Sequence, residues 1–288
     1  MITFKCYLDG KEITDQNLIR ALNQNEISVF ESLRLYNGTV FRFNEHLKRF
    51  AESARSCGID LPAIPVLIAA VQKALKAHGG ADGFIRITFH AEKIFVMIGE
   101  RKHNPAIYKT GVDLKTSSFR MPSPGETDVQ AKTGNYRLQL LAGKPEGAYE
   151  WLFLDESHFV TEARVGNFFM VKKGSILTPP AVSVLNGITR EVVIECARDL
   201  GLFVRETPLT RHEAFNADEA FLTNTSWEIL PVRSLDGRLI QAPVPGPITL
   251  KLINCFHRKV NITCRPPKKV SEIRKSNARS SPSRIKKD

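Results

Sequence analysis

The 288-residue sequence lacks the features that mark membrane, disulfide-bonded and zinc-binding proteins. Its longest apolar runs, such as residues 66–71, are far too short to cross a bilayer. The N-terminus has no signal-peptide core. The five cysteines are scattered, without a Cys-x-x-Cys pair, so neither a disulfide framework nor a metal site is expected. These absences predict a reduced, cytoplasmic protein that binds no metal and no membrane.

Positive charge is also scarce outside one end of the chain. Residues 257–288 hold eleven Lys/Arg and two acidic residues, which is +9 of the net +11, and residues 1–256 carry only +2. A nucleic-acid-binding protein is expected to spread its basic residues over a folded face. Because this segment has few apolar residues, it is predicted to be a disordered basic tail. Binding of nucleic acid or an anionic surface by the tail is an alternative, but blocks of like charge are usually solvated.

The order of strand and helix patterns predicts an α+β protein with two domains. Hairpin signals and two amphipathic helices predict a small N-terminal domain over residues 1–116. Residues 117–130 contain two prolines, a glycine and few apolar side chains, which is typical of an interdomain linker. Further hairpins and helices predict a larger domain over residues 131–256, with the tail at 257–288.

Two residues of the second domain are candidates for covalent and acid–base chemistry. Lys132 lies in the loop sequence Ala-Lys-Thr-Gly-Asn-Tyr, and partial burial would lower its pKa enough for the amine to attack a carbonyl. A single loop lysine is more often solvated. Glu162 lies within an apolar strand and needs a partner there, for which Arg164 is the ordinary candidate.

Anion-binding groups follow in two further segments. Gly187-Ile188-Thr189 precedes a predicted helix, whose free N–H groups attract an anion. Thr225 and Ser226 follow a strand, and Arg49 lies on an N-terminal helix near Glu45. Taken singly, these are a helix cap, a turn and a surface ion pair. Together with an amine and a carboxylate, they form the set that pyridoxal 5'-phosphate requires.

The order of these motifs resembles the class IV (fold type IV) pyridoxal-phosphate enzymes. These are the branched-chain aminotransferases, D-amino-acid aminotransferases and aminodeoxychorismate lyases, and the likeness covers roughly residues 1–253. The matching segments are Val-Phe-Glu-Ser-Leu-Arg-Leu-Tyr-Asn-Gly (29–38), Phe-Asn-Glu-His-Leu-Lys-Arg (43–49), Ala-Lys-Thr-Gly-Asn-Tyr (131–136), Thr-Glu-Ala-Arg-Val-Gly-Asn-Phe (161–168), Asn-Gly-Ile-Thr-Arg (186–190), Thr-Asn-Thr-Ser-Trp-Glu (223–228) and Gly-Pro-Ile-Thr (246–249).

The resemblance implies a role for each motif and a homodimer of two-domain subunits with the cofactor between the domains. Lys132 would form the aldimine with pyridoxal phosphate and move protons during transamination. Glu162, followed by Asn167, would hold the proton of the pyridine nitrogen, and Tyr136 would reach the ring hydroxyl. The expected phosphate ligands are Arg49, Ile188, Thr189, Thr225 and Ser226.

Substrate preference is less closely specified by the resemblance. D-amino-acid enzymes often carry a tyrosine where this chain has Phe30, and an Arg-x-His trap that is missing after the first strand of the hairpin at residues 84–98. We therefore expect an apolar, branched-chain-like L-amino acid, with Phe30 and Arg34 at the substrate. The short spacing from Lys132 to Tyr136 fits two alternatives better: aminodeoxychorismate lyase, which releases pyruvate and 4-aminobenzoate, and D-amino-acid aminotransferase.

Overall fold

A computed structural model describes residues 4–23, 28–80, 82–122, 130–134, 141–241 and 243–265. Its strands form two sheets that follow one another along the chain. Within the described residues, no helix is both long and apolar enough to span a membrane.

The first sheet is antiparallel and has six strands in the order β2-β1-β6-β5-β3-β4. Its strands are β1 (Phe4–Leu8), β2 (Lys11–Ile13), β3 (Val29–Tyr36), β4 (Thr39–Val40), β5 (Gly83–His90) and β6 (Lys93–Gly99). Its helices are α1 (Gln16–Asn23), α2 (Phe43–Ser56) and α3 (Ile64–His78). The predicted hairpin of β5 and β6 is confirmed, with Ala91 and Glu92 at positive φ in a two-residue turn.

The two faces of this sheet have different neighbours because side chains alternate along each strand. Leu33, Ile85 and Ile87 are fully buried on the face that carries α2 and α3. Ser32 and Arg34 alternate with them on the other face of β3 and are only half-buried. That second face turns toward the larger sheet, so polar residues placed on it can reach a site between the two sheets.

The second sheet contains nine strands, six of which close into a barrel in the order β10-β13-β14-β7-β8-β9, with β9 pairing back to β10. Its strands are β7 (Val112–Met121), β8 (Glu150–Asp155), β9 (Val160–Ala163), β10 (Gly166–Lys172), β11 (Ser175–Thr178), β12 (Val204–Glu206), β13 (Glu219–Asn224), β14 (Glu228–Leu235) and β15 (Arg238–Leu239). The helical segments are α4 (Ala106–Thr110), a 3-10 turn (Ala181–Ser183), α5 (Ile188–Asp199), α6 (Arg211–Phe215) and α7 (Pro247–Thr263).

Alternation along the barrel strands divides its residues between an inner and an outer core. Phe168 and Met170 of β10 point inward and pack with Leu222 of β13. Phe169 and Phe221 point outward, stack at 5.0 Å between ring centroids, and are covered by α5 and α7. Each such side chain contributes about 1.5–3 kcal/mol on burial. The outer face of β10 therefore leads directly to the start of α5.

The domain boundary differs from the prediction. The sequence pattern predicts residues 112–116 in the small domain and residues 117–121 in the linker, but strand β7 carries both segments into the large sheet, parallel to β14 and β8. The buried side chains of Val112, Leu114 and Met121 account for this, because they fill the barrel wall. The two prolines that indicated a linker come only after the strand has ended.

The large domain also continues past the predicted end at residue 256. Helix α7 runs to Thr263, because Leu252, Phe256, Val260 and Cys264 form a buried row at four-residue spacing. The basic tail therefore begins later than predicted. Residues 266–288 lie outside the described residues, so disorder there stays a prediction.

Candidate active site

The segment that contains Lys132 is attached to the small sheet by backbone hydrogen bonds. The N–H of Phe30 donates to the carbonyl of Lys132 at 3.1 Å, and the N–H of Gly134 donates to the carbonyl of Ser28 at 2.7 Å. The N–H of Lys132 donates to Ser53 Oγ at 2.9 Å. Edge pairing with β3 thus fixes the lysine at the junction between the two sheets.

The surroundings of Lys132 disfavour its charged form. Burial, followed by the positive charges of Arg49 and Arg86, lowers the pKa of the Lys132 amine to about 7, against the opposing attraction of Glu31 and Glu162. Near neutral pH a large share of the amine is therefore unprotonated. A neutral amine can add to a carbonyl and can also exchange protons with a neighbouring carbon acid.

Phe30 lies directly beside this amine. Lys132 Nζ is 4.6 Å from the ring centroid of Phe30, and the guanidinium of Arg86 is 3.7 Å from the same centroid. Phe30, which the sequence predicts at the substrate, thus lies beside the amine of Lys132, and its role at the substrate stays a prediction. Arg86 was not predicted. The signal that could have found it is strand register, since Arg86 pairs with Ser32 on the face that turns toward the site.

Glu162, Asn167 and Thr223 form a row across three neighbouring strands. Glu162 of β9 pairs with Asn167 of β10, which pairs with Thr223 of β13, so the three side chains share the outer face of the barrel. Asn167 Nδ2 donates to Glu162 Oε2 at 3.2 Å and to the carbonyl of Leu185 at 2.7 Å. The Thr223 hydroxyl is fully buried and has no hydrogen-bond partner within the described part of the chain.

Glu162 has no salt-bridge partner among the residues that the structure describes. Burial raises the pKa of its carboxyl to about 8, against weaker opposing effects from Lys132 and the N–H of Leu185. The ordinary partner considered above, Arg164, instead donates to Glu150 Oε1 at 3.1 Å. A buried carboxyl group that holds a proton at neutral pH suits a protonated ring nitrogen, which would stabilise its ionised form.

The first predicted phosphate turn begins the twelve-residue helix α5. Gly187 is its N-cap, and a Cβ there would lie only 2.2 Å from Asn167 Oδ1, so the close approach of the two segments requires glycine. Ile188 and Thr189 occupy the first turn, where backbone N–H groups have no helical partner. Both residues line a narrow cleft together with Thr225.

The two candidates in the second predicted phosphate turn, Thr225 and Ser226, have different surroundings. Thr225 lines the cleft, but the polar groups of Ser226 are engaged elsewhere. Its N–H donates to Asn224 Oδ1 at 2.8 Å, its carbonyl accepts from Arg34 at 2.9 Å, and its hydroxyl lies 2.8 Å from His103 Nε2. Ser226 thus fixes the turn. Nothing in the local sequence pattern predicted the contact with His103.

Arg49 connects the small sheet to the first phosphate turn. Its Nε and one terminal nitrogen donate to the two oxygens of Glu31 at 2.7 and 2.8 Å, and the other terminal nitrogen donates to the carbonyl of Asn186 at 2.9 Å. The surface pair with Glu45 considered from the sequence does not form, because Glu45 accepts from Arg42 at 2.9 Å. Arg49 therefore lies behind the turn that begins α5.

The carboxylate of Glu31 also accepts from the N–H of Ser32 at 3.1 Å and lies against His46. His46 Nδ1 is 2.7 Å from Glu31 Oε2. Burial favours the neutral acid, but the charge of Arg49 and the bond from His46 overcome it and hold the pKa of Glu31 well below its usual range. Glu31 is thus ionised in the folded protein.

Two observations limit the site. Tyr136, the predicted partner of the cofactor's ring hydroxyl, lies outside the described residues. A wider cleft of about 700 Å³, lined by residues such as Arg120, His158 and Phe215, contains none of the predicted site residues. Since neither Lys132 nor Glu162 lines it, we assign the chemistry to the junction of the two sheets.

The residues at the junction fit pyridoxal phosphate. They offer a buried amine with a pKa of about 7, a carboxyl group without a committed cation in the described part of the chain, and two turns whose residues line one narrow cleft. Gly187 allows the close approach of segments that this arrangement needs.

Comparison with known proteins gives the same result. A family model for class IV amino-transferases matches residues 28–235. A putative branched-chain-amino-acid aminotransferase of Methanocaldococcus jannaschii is 34% identical over 273 residues, covering 88% of this chain and 95% of that protein. The crystal structure of the Escherichia coli branched-chain amino acid aminotransferase superposes with a TM-score of 0.80 at 28% identity, covering 88% of this chain and 93% of that one. The branched-chain aminotransferase of Thermoproteus uzoniensis, solved with norvaline, gives 0.77 at 30%, covering 91% and 95%.

These matches confirm the predicted fold type and the expected cofactor chemistry. The two-domain α+β architecture extends over nearly the whole of both solved structures. Another branched-chain aminotransferase of the same fold was solved with pyridoxamine 5'-phosphate and superposes with a TM-score of 0.79 at 29% identity. The family match covers strands β3 to β14 and every predicted site motif between residues 28 and 235. This chain belongs to the class IV aminotransferases, which are pyridoxal-phosphate-dependent enzymes.

Proposed function

We propose that this aminotransferase moves amino groups between branched-chain L-amino acids and 2-keto acids. The observation that carries the proposal is the apolar ring of Phe30 at 4.6 Å from Lys132 Nζ, beside an amine with a pKa of about 7. An apolar wall next to the reacting amine favours substrates with aliphatic side chains. The names of the Methanocaldococcus jannaschii and Escherichia coli relatives support the same substrate class.

Lys132 is the proposed catalytic residue. When bound, pyridoxal phosphate supplies an electron sink for the bond-breaking step at the substrate's α-carbon. The amine of Lys132 moves the proton to and from that carbon, and its pKa of about 7 suits a group that must both accept and donate near neutral pH.

Glu162 is the proposed partner of the cofactor's ring nitrogen. Its carboxyl group would give up its proton and accept a hydrogen bond from the protonated nitrogen, which relieves the energetic cost of its burial. Asn167, which donates to Glu162 and to the carbonyl of Leu185, holds the carboxyl group in one orientation.

The proposed phosphate site combines the two turns. Ile188, Thr189 and Thr225 line one narrow cleft, and the backbone N–H groups in the first turn of α5 have no helical partner. Arg49 supplies positive charge from behind the first turn and holds it through the carbonyl of Asn186. For Ser226 we propose a positioning role, since its polar groups already have protein partners.

Two arginines of the small sheet are suited to the carboxylate of the substrate. Arg86 packs on the Phe30 ring next to Lys132, and Arg34 lines the cleft with Thr225. Either guanidinium can orient a carboxylate through paired N–H groups.

Three further features belong to the proposal. The protein is a homodimer, it is cytoplasmic, and the boundary between its two domains lies near Gly111.

The test is the absorption spectrum of purified holoenzyme during additions of L- and D-forms of leucine, isoleucine and valine, with keto-acid formation followed in the presence of 2-oxoglutarate or pyruvate. We expect the cofactor band to change and keto acid to form with the L-forms only. Lys132→Ala is the matched control and should give no turnover.

Each contrary outcome identifies a different error. Turnover confined to D-amino acids would show that the substrate chirality is wrong. Pyruvate release from aminodeoxychorismate without an amino acceptor would identify a lyase. Failure to bind pyridoxal phosphate at all would contradict the assigned site.

A further inference from the structure

Ser53 of α2 is a buried residue that contacts the backbone of the proposed catalytic lysine. It is only 2% exposed, and its Oγ accepts a hydrogen bond from the N–H of Lys132 at 2.9 Å. The two residues are 79 positions apart in the sequence, so the local pattern around Lys132 does not predict this contact.

The hydrogen bond to Ser53 completes a set of contacts on both sides of the Lys132 α-carbon. The carbonyl of Lys132 accepts from the N–H of Phe30 at 3.1 Å, and the N–H of Gly134 donates to the carbonyl of Ser28 at 2.7 Å. Strand β3 therefore holds the chain after the lysine, and α2 holds the N–H before it. With the backbone fixed in this way, the amine moves by rotation within the four-carbon side chain.

The same face of α2 also holds the first phosphate turn. Arg49 lies four residues before Ser53, so the two side chains share one face of the helix. The guanidinium of Arg49 donates to the carbonyl of Asn186 at 2.9 Å, two residues before α5 begins at Ile188. One helix thus connects the backbone of the reacting lysine to the turn proposed for the phosphate.

We propose that Ser53 is a positioning residue for proton transfer by Lys132. Its hydroxyl accepts the Lys132 N–H and so fixes where the lysine side chain starts relative to the phosphate turn. A displacement of about 1 Å can reduce a rate by about 10²-fold, because proton transfer needs its two atoms within hydrogen-bond reach. This inference rests on the proposed function of Lys132, and Ser53 lies outside the sequence segments that match the family.

A purely structural role for Ser53 leads to a different expectation. A hydroxyl that only satisfied a backbone N–H would stabilise the fold, so its loss would reduce the amount of active protein. It would not change the rate at which each molecule with bound cofactor reacts. The rate is therefore measured per bound cofactor.

The experiment follows the half-reaction of full-length holoenzyme with excess L-leucine through the absorption of the bound cofactor, which also counts the active molecules. In Ser53→Ala the N–H of Lys132 loses its acceptor, so the rate per bound cofactor should fall about tenfold. L-leucine deuterated at its α-carbon should react more slowly still. This isotope effect should be clearly above one and no smaller than in the wild type, because proton transfer is the slowed step.

Three other variants serve as controls. Ser234→Ala removes another buried serine, whose hydroxyl donates to Asp113 in the barrel, and should keep the wild-type rate. Ser53→Thr retains a hydroxyl acceptor and should react nearly as fast as the wild type. Ser53→Cys keeps the size of serine but offers only a weak acceptor, so its rate should fall even if the alanine variant folds poorly.

The outcomes separate the inference from the proposed function. An unchanged rate per bound cofactor in Ser53→Ala or Ser53→Cys, an isotope effect that falls toward one, or an equal loss in Ser53→Thr overturns the role of Ser53. In each of these cases the wild type still reacts with L-leucine, and the proposed function stands. A wild type that binds pyridoxal phosphate but does not react with L-leucine overturns the proposed function, and the role of Ser53 with it.

Discussion

Two glutamates lie at nearly the same depth on either side of the active site and have opposite protonation behaviour. Glu31 of the small sheet is 1% exposed and Glu162 of the barrel is 8% exposed. The pKa of Glu31 is held well below its usual range, and that of Glu162 is raised to about 8. Because burial raises the pKa of both, the difference lies in their partners.

The partners differ in charge and number. Glu31 accepts two bonds from Arg49, one from His46 and one from the N–H of Ser32, whereas the carboxyl group of Glu162 accepts from the neutral amide of Asn167 at 3.2 Å and from the N–H of Leu185. A buried carboxylate with a fixed cation is part of the fold. One without a committed cation is available to a cation that arrives with a ligand. The contrast thus distinguishes a glutamate that holds the fold together from one for which we propose a role in cofactor binding.

The largest effect on stability is expected at Glu31. Glu31→Ala leaves the Arg49 charge buried without its carboxylate, which should lower the free energy of unfolding by about 3–5 kcal/mol. Lys48→Ala is the control. It breaks a pair whose side chains are 78% and 57% exposed, and such pairs contribute about 0–1 kcal/mol. Urea unfolding of both variants measures the difference, and equal losses would contradict the role given to Glu31.

Glu162→Gln should affect stability in the opposite sense. With a folded pKa of about 8, Glu162 binds a proton in the native state that the unfolded chain has released above about pH 4.5. Stability without cofactor therefore falls as pH rises toward 8, and glutamine removes that loss. The lowered pKa of Lys132 makes stability rise with pH above pH 7, but it does so in the wild type and in the variant alike. The measurement is the free energy of unfolding of the wild type and of Glu162→Gln at several pH values from 5 to 8.5. We expect the two plots against pH to converge or cross at the alkaline end.

The same variant, Glu162→Gln, should also lose transamination activity. Glu162→Gln removes the carboxylate that would stabilise the protonated ring nitrogen, so transamination should fall by about 10²–10³-fold, as for other lost electrostatic contacts in active sites. Initial rates with saturating cofactor measure this. Full activity, or a pH-dependent stability identical to that of the wild type, would show that Glu162 is not the cofactor-facing glutamate.

The sequence predicted the parts of this site that depend on short segments. The motifs around Lys132, Glu162 and Thr189 identify chemistry because each places its functional groups within a few residues. The hairpin of β5 and β6 was predicted for the same reason, since alternation and a two-residue turn are local.

What the sequence did not predict depends on long-range pairing. Strand β7 joins the barrel through β14, which lies more than a hundred residues later, so composition alone placed its end in a linker. Likewise, Arg86 reaches the site through register with β3, and His103 through its contact with Ser226. Such positions are set by sheet order, which local pattern does not encode.

The smallest expected effect belongs to Asn167, the amide that orients Glu162. Asn167→Ala removes hydrogen bonds to Glu162 and to the buried carbonyl of Leu185, which should reduce stability by about 1–3 kcal/mol. Cofactor affinity should fall about tenfold, which corresponds to ~1.4 kcal/mol. Asn167→Asp is the matched variant: it keeps the shape and reverses the donor, so repulsion should raise the pKa of Glu162 further. Fluorescence titration with pyridoxal phosphate measures the cofactor affinity of both variants. If Asn167→Ala weakened cofactor binding as much as Glu162→Gln, the neutral amide would matter as much as the carboxyl group. The contrast with Glu31 would then not be explained by the absence of a committed cation among the described residues alone.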